Sequence, residues 1–182
     1  MIRFSGFRVA EKAAYIIGML RRVLPLVLLA IAAPIAAKDS LGVFGEWGAF
    51  RDADVPRCYA IAAAEFSRNR RDFDPYASVG TWPDRQVRGQ VHFRLSRELS
   101  ASPRLRLAIS GQRFDLTGGG SDAWAASAGD DAAIVAAMRA ASSMTISATD
   151  SRGNRFTDRY SLDGAATAID AAIVGCASAR ND

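Results

Sequence analysis

The chain has 182 residues, 49% of them hydrophobic and 23% charged, with two cysteines, one histidine and a formal charge of +4. The basic excess lies wholly within residues 1–37, where Arg3, Arg8, Lys12, Arg21 and Arg22 face only Glu11. The remainder balances 18 basic against 18 acidic groups, so the overall charge argues for an export leader and against a nucleic-acid-binding domain.

That leader takes the usual order. Leu20-Arg21-Arg22 forms a positive head, residues 23–33 an apolar core of 11 residues, and Ala36-Ala37 a small-residue boundary. Cleavage is expected after Ala37, with Ala32 or Ala33 as alternatives, and Met19 is a possible true start. The competing reading is an uncleaved membrane anchor. Arg21-Arg22, Pro25 and Pro34 break up the apolar stretch, and a spanning helix needs about 20 apolar residues. Membrane contact is expected only through this segment, before cleavage. Residues 38–182 are long enough for a single domain with its own core.

Within that domain, residues 41–50 have the aromatic and β-branched character of a first strand, with Gly45 and Gly48 inviting bulges. Residues 51–56 read as a turn. Residues 57–64 are apolar on both parities and predict a central strand covered on both faces. A charged loop at 67–74 leads to a strand at 76–82. Then Val91, Phe93 and Leu95 alternate with Gln90, His92 and Arg94; Leu105, Leu107 and Ile109 with Arg104 and Arg106; and Phe114 and Leu116 with Arg113 and Asp115. This period of two predicts three consecutive antiparallel strands with one wet, arginine-bearing face.

Residues 117–122, TGGGSD, lack the lysine and hydroxyl of a phosphate-binding loop and read as a turn. Trp124 is expected to cover the core. Gly129-Asp130-Asp131 opens a short helix, with acids at the positive end of its dipole and Ile134, Val135 and Met138 on one face. Met144, Ile146 and Ala148 then alternate with Thr145, Ser147 and Thr149. After the turn residues 150–154, Phe156, Tyr160 and Leu162 alternate with Arg155, Thr157, Arg159 and Ser161. Asp158 falls on the apolar parity, which implies a partner, a bulge or an exposed sheet margin. Asp163 is the expected N-cap of a last helix whose stripe is Ala168, Ile169, Ala172, Ile173 and Cys176. The expected fold is mainly β, an antiparallel sandwich or barrel-like domain with two short helices, the last one C-terminal.

Two cysteines in an exported chain allow one disulfide, Cys58 to Cys176; the alternative is two buried free thiols. No C-x-x-C motif or neighbouring histidine supports a catalytic thiol.

The hairpin and helix at 153–169, with Tyr160-Ser161-Leu162-Asp163-Gly164-Ala165-Ala166-Thr167-Ala168, resemble the invasion-associated locus B family of exported bacterial proteins. The resemblance extends to Ile134-Val135-Ala136-Ala137-Met138-Arg139, the Met144 strand, Trp47 and Arg57-Cys58-Tyr59. Ala165 stands where an aromatic usually follows the glycine, and Trp124-Ala125 where a Gly-Cys pair usually precedes the helix, so the chain looks like a divergent branch. The resemblance implies a periplasmic or secreted envelope protein and supplies no catalytic residues.

The residues themselves agree with that absence of chemistry. His92 is mid-strand on a polar face, where a solvated surface role is expected. The pairs Asp72/Asp74 and Asp130/Asp131 sit in a loop and at a helix start, and no serine-hydrolase elbow, zinc motif or Cys/His ligand set occurs. No enzyme, cofactor or metal is expected. The expected activity is binding of an unknown protein partner or anionic envelope component through Arg94, Arg104, Arg106 and Arg113, whose planar forks suit carboxylate and phosphate. A structural or stress-related envelope role without a ligand is the alternative, and an unrecognised hydrolase a more distant one.

Overall fold

A computed structural model describes residues 38–52 and 54–178; the expected leader and its cleavage site lie outside them. Ten strands among the described residues form one antiparallel sheet: β1 (Asp39–Phe44), β2 (Trp47–Asp52), β3 (Arg57–Ala63), β4 (Tyr76–Trp82), β5 (Val87–Arg94), β6 (Arg106–Ile109), β7 (Gln112–Gly119), β8 (Asp122–Ala125), β9 (Ser143–Thr149) and β10 (Arg155–Ser161). Their order across the sheet is β1-β2-β3-β4-β5-β8-β7-β6-β9-β10. Helix α1 (Ala128–Ala140) follows β8, and helix α2 (Ala165–Ser178) closes the described chain. The fold is mainly β with a C-terminal helix, as the alternating patterns predict.

The sheet curls so that one face becomes the core. Trp47, Cys58, Val91, Phe93, Leu107, Ile109, Met144, Ile146 and Tyr160 point inward and are almost wholly buried. Each large apolar side chain so placed stabilises the fold by about 1.5–3 kcal/mol relative to exposure. The β10 margin comes round to meet the start of β2 and the segment just after β3. Trp47 Nε1 donates to the Ser161 carbonyl at 2.9 Å, and the Glu65 amide donates to the Arg159 carbonyl at 2.8 Å. This near-closure makes the domain barrel-like.

Helix α2 lies across β1, β2 and β3. It does so closely because both surfaces are paved with small residues: Ala49 and Ala60 on the strands, Ala165, Ala168 and Ala172 on the helix, all buried. At its far end Cys176 is bonded to Cys58, with Cα atoms 5.7 Å apart. Helix α1 packs on β5, β7 and β8. Its N-cap is Ser127, whose Oγ accepts from the Asp130 amide at 3.1 Å, and Asp131 Oδ1 accepts from the Val91 amide of β5 at 2.7 Å.

Several elements depart from their sequence expectation. Residues 41–50 are not one strand but the two arms of a hairpin that turns at Gly45 (φ 54°), and the bulge falls at Ser40/Gly42 instead. β3 is central but buries only Cys58, Ala60 and Ala62; Tyr59 and Ile61 face outward and are half-buried. The three strands expected in succession are not neighbours throughout, because β5 pairs with β8 and β6 with β7 and β9. The glycine stretch explains it: β7 runs on through Gly118 and Gly119, turns at Gly120 and Ser121, and returns as β8 into the gap beside β5. Gly118 is required there, since a Cβ on it would meet the Asp122 carbonyl oxygen at 2.4 Å.

Trp124, on β8, is 38% exposed and does not cover the core. Asp163 is not the N-cap of α2. It lies in the preceding turn, where its carbonyl accepts from the Glu46 amide at 3.1 Å, and the helix starts two residues later. The buried stripe of α2 starts at Ala165, and Ile173 is 46% exposed. Of the three readings of Asp158, the partnered one holds: its carboxylate is 1% exposed and accepts from the Ser96 amide at 2.9 Å.

Two predictions follow from this packing. Replacing both cysteines by alanine opens a loop closed over a sequence separation of 118 and should cost up to about 4–5 kcal/mol, read as a lower urea midpoint with a steeper slope, because the opened denatured chain exposes more surface. Gly164 and Gly153 both have φ above 80°, but a Cβ on Gly164 would stand 1.7 Å from the Phe44 carbonyl oxygen whereas one on Gly153 meets nothing within 4 Å. Gly164→Ala should therefore lower Tm well beyond Gly153→Ala, the difference reporting the collision and not the backbone conformation.

Candidate functional site

The outward face of β6, β9 and β10 is polar because β-strand alternation leaves it no other choice: the same strands spend their apolar parity on the core. Register then aligns the polar residues. Thr157 opposes Ser147, Ser147 opposes Arg106, and Arg106 opposes Asp115; one step along, Arg155 opposes Thr149. These residues and Arg104, on the segment entering β6, line a groove of about 690 Å³.

Three guanidinium groups, Arg104, Arg106 and Arg155, share the groove with one carboxylate, Asp115. Arg106 Nε lies 3.5 Å from Asp115 Oδ1, and both side chains are more than half exposed, so the pair is loose and costs little to exchange for another anion. Arg104 and Arg155 have no ion-pair partner among the described residues. Ser147, Thr149 and Thr157 add hydroxyl donors. Cationic forks beside neutral donors are the chemistry that suits phosphate or carboxylate.

Thr149 and Arg155, which line the groove, flank the β9–β10 turn, and Asp150 fixes that turn. This residue is 2% exposed. Its Oδ1 accepts from the amides of Arg152 and Asn154 at 3.0 and 2.8 Å, and its Oδ2 from Arg97 Nη1 at 3.0 Å. Burial pushes the Asp150 carboxyl up, but the Asn154 amide, Arg97 and the Arg152 amide together outweigh it and hold the group below the ordinary carboxylate range. Arg97, 16% exposed in its side chain, thereby ties the 95–105 crossover to the turn that carries Arg155.

Of the four arginines expected to bind, the structure brings two together. Arg104 and Arg106 line the groove; Arg113 stands opposite Ala108 outside it. Arg94 is on a different part of the sheet, where its Nη1 donates to Asp122 Oδ2 at 2.9 Å and its guanidinium covers the Phe73 ring at 4.6 Å. Arg155 was not among the four. Its position on the polar parity of its strand is readable from sequence, but its nearness to Arg104 depends on β6 pairing with β9, which alternation does not encode. His92 is half-buried, with Nε2 3.0 Å from Asp122 Oδ1, and so is partnered, not solvated. Among the described residues no three His, Cys, Asp or Glu side chains gather as metal ligands, and both cysteines are in the disulfide.

No family model, curated protein or solved structure matches the chain.

Asp150 carries a testable pH dependence. Its folded pKa lies below the unfolded value near 4, so its contribution is complete above that value and is lost as pH falls through the folded pKa. Tm should hold from neutrality to about pH 4 and drop below it. Asp150→Asn should start from a lower Tm and lose part of that acid limb. Asp170, whose carboxyl is lowered by its hydrogen bond with Arg139 between the two helices, accounts for a further part.

Proposed function

We propose that this chain is an exported envelope protein of the invasion-associated locus B type, without a reaction of its own, that holds an anionic group of an envelope component in the Arg104–Arg106–Arg155 groove. The observation that carries the reading is the meeting of three arginines and three hydroxyls around one weakly engaged carboxylate. Export is supported by the Cys58–Cys176 bond, which fits an oxidising compartment, and by the basic and apolar order of residues 1–37. Among the described residues no helix is long and apolar enough to cross a membrane.

The expected ligand presents a phosphate or carboxylate on an accessible arm, since the groove is open and its arginines are exposed. A charge-assisted hydrogen bond contributes about 1.5–3 kcal/mol. Pyrophosphate titrated calorimetrically at low salt should bind, with affinity falling as salt rises. Arg104→Gln/Arg106→Gln should lose at least about tenfold in affinity while Tm stays within a few degrees, whereas Arg113→Gln should bind as the parent does. Equal binding by the double variant sinks the proposal. Export is checked separately by intact mass from the native periplasm, expected to begin at Lys38 and to fall two hydrogens short of the reduced chain.

A further inference from the structure

The outward face of β2, β3, β4, β5 and β8 differs from the polar face just described. Directly opposed residues share a face, and the registers line up Ile61 with Ser78, Ser78 with His92, and His92 with Trp124. Beside this row Phe50 opposes Tyr59 on one flank, and Tyr76 opposes Arg94 on the other. The rings touch across strands. Tyr76 meets His92 edge-on at 5.7 Å, His92 tilts against Trp124 at 5.1 Å, and Phe50 stacks on Tyr59 at 5.7 Å.

The two gaps in this band are closed by rings as well. A Cβ on Gly48 would run into the Phe50 ring at 2.7 Å, and one on Gly80 into the Trp82 indole at 2.6 Å. Phe50 and Trp82 thus cover backbone, while Trp124 remains 38% exposed on a short strand with no apolar cover. From β3 to β8 the band crosses three strand spacings, roughly 14 Å.

Charge decides what such a band accepts. Asp122 takes both Arg94, at 2.9 Å, and His92, at 3.0 Å, and Asp52 lies 3.4 Å from Arg57. Both arginines are already matched by a carboxylate, so a polyanion that binds by displacing counterions gains little here, which argues against single-stranded nucleic acid despite the stacking surface. The band instead offers flat rings with hydrogen-bonding groups between them, namely Ser78, Gln90 and the Asp122 carboxylate. A hexopyranose with equatorial hydroxyls is complementary to that pattern: both ring faces carry only C–H groups, which lie well on aromatic faces, and the hydroxyls project from the rim.

We infer that this band is a glycan-binding face that stacks an uncharged chain of equatorially substituted hexopyranoses across Tyr76, His92 and Trp124. It is separate from the arginine groove, on other strands and with other chemistry, and neither site depends on the other. A chain of a few linked sugars spans the rings from β3 to β8.

The oxidised full chain is run in native gels containing hydroxyethylcellulose or glycol chitin, and cellohexaose and the hexamer of N-acetylglucosamine are titrated against tryptophan fluorescence. Retardation by at least one polymer, with a saturable fluorescence change by the matching oligosaccharide, is expected. Trp124→Ala should weaken binding at least tenfold, Trp124→Phe should retain most of it, and Arg104→Gln/Arg106→Gln should bind sugar as the parent does. Near-ultraviolet dichroism and Tm establish that each variant is folded. Failure of both polymers and both oligosaccharides overturns the inference, as does undiminished binding by folded Trp124→Ala. Binding of an oligo-dT strand at physiological salt in the absence of any sugar binding would assign the face to nucleic acid and overturn it equally.

Discussion

The bond between Cys58 and Cys176 is possible only because the helix that carries Cys176 can come down onto the sheet. That approach is set by alanine. Ala49 and Ala60 below and Ala165, Ala168 and Ala172 above are all buried and let the two surfaces come close. An interface of small residues buries little area per residue, and the covalent bond supplies what packing alone does not. Gly164 and Gly45 belong to the same arrangement, because the chain must turn into α2 directly against the main chain of the first hairpin. With α2 seated, Trp47 meets Ser161, and the sheet is drawn round toward closure.

A second set of constraints is polar and lies at the opposite end of the sheet. The 95–105 crossover must leave β5, pass the end of β8 and reach β6 with only the single bridge of Leu99 to Asp150 as strand pairing of its own. Its backbone is satisfied piecemeal: Leu95 and Leu99 amides donate to Ser121 and Gly120, Ser96 to the buried Asp158, and Ser100 to Thr149. Buried main-chain donors need such partners, and a buried carboxylate needs donors, so each resolves the other's cost. The arginine groove is a by-product of this bracing, since Arg104 lies at the end of the crossover and Arg155 follows the turn that Asp150 and Arg97 fix.

What could be read from sequence followed local physics. Alternation at Met144–Ala148 and Phe156–Leu162, the acids at the start of α1, and the pairing of the only two cysteines were legible because period, dipole and count are properties of a few residues. Strand order was not. Nothing in TGGGSD announces that β8 folds back between β7 and β5, and with that insertion hidden, Arg94 and Trp124 were assigned to the wrong surroundings. Asp158 shows the boundary well. Its parity revealed an anomaly, and only the course of a segment 62 residues away explained it. The site suffered more than the fold, because a binding surface is made of cross-strand neighbours and inherits every error in strand order.

The disulfide also determines how this domain would behave under load. Tension applied through its two ends enters the described domain at β1 and at α2, where Leu41 and Gly175 lie against one another. Residues 58 to 176 form a sealed ring that cannot lengthen while the bond stands. Only the roughly 20 described residues ahead of Cys58 and the few after Cys176 are free to pay out, a reach of about 70 Å on the longer side. Under such a load β1 and β2 would give way and take Phe50 with them, while Tyr76, His92, Trp124 and the three arginines of the groove all lie inside the ring.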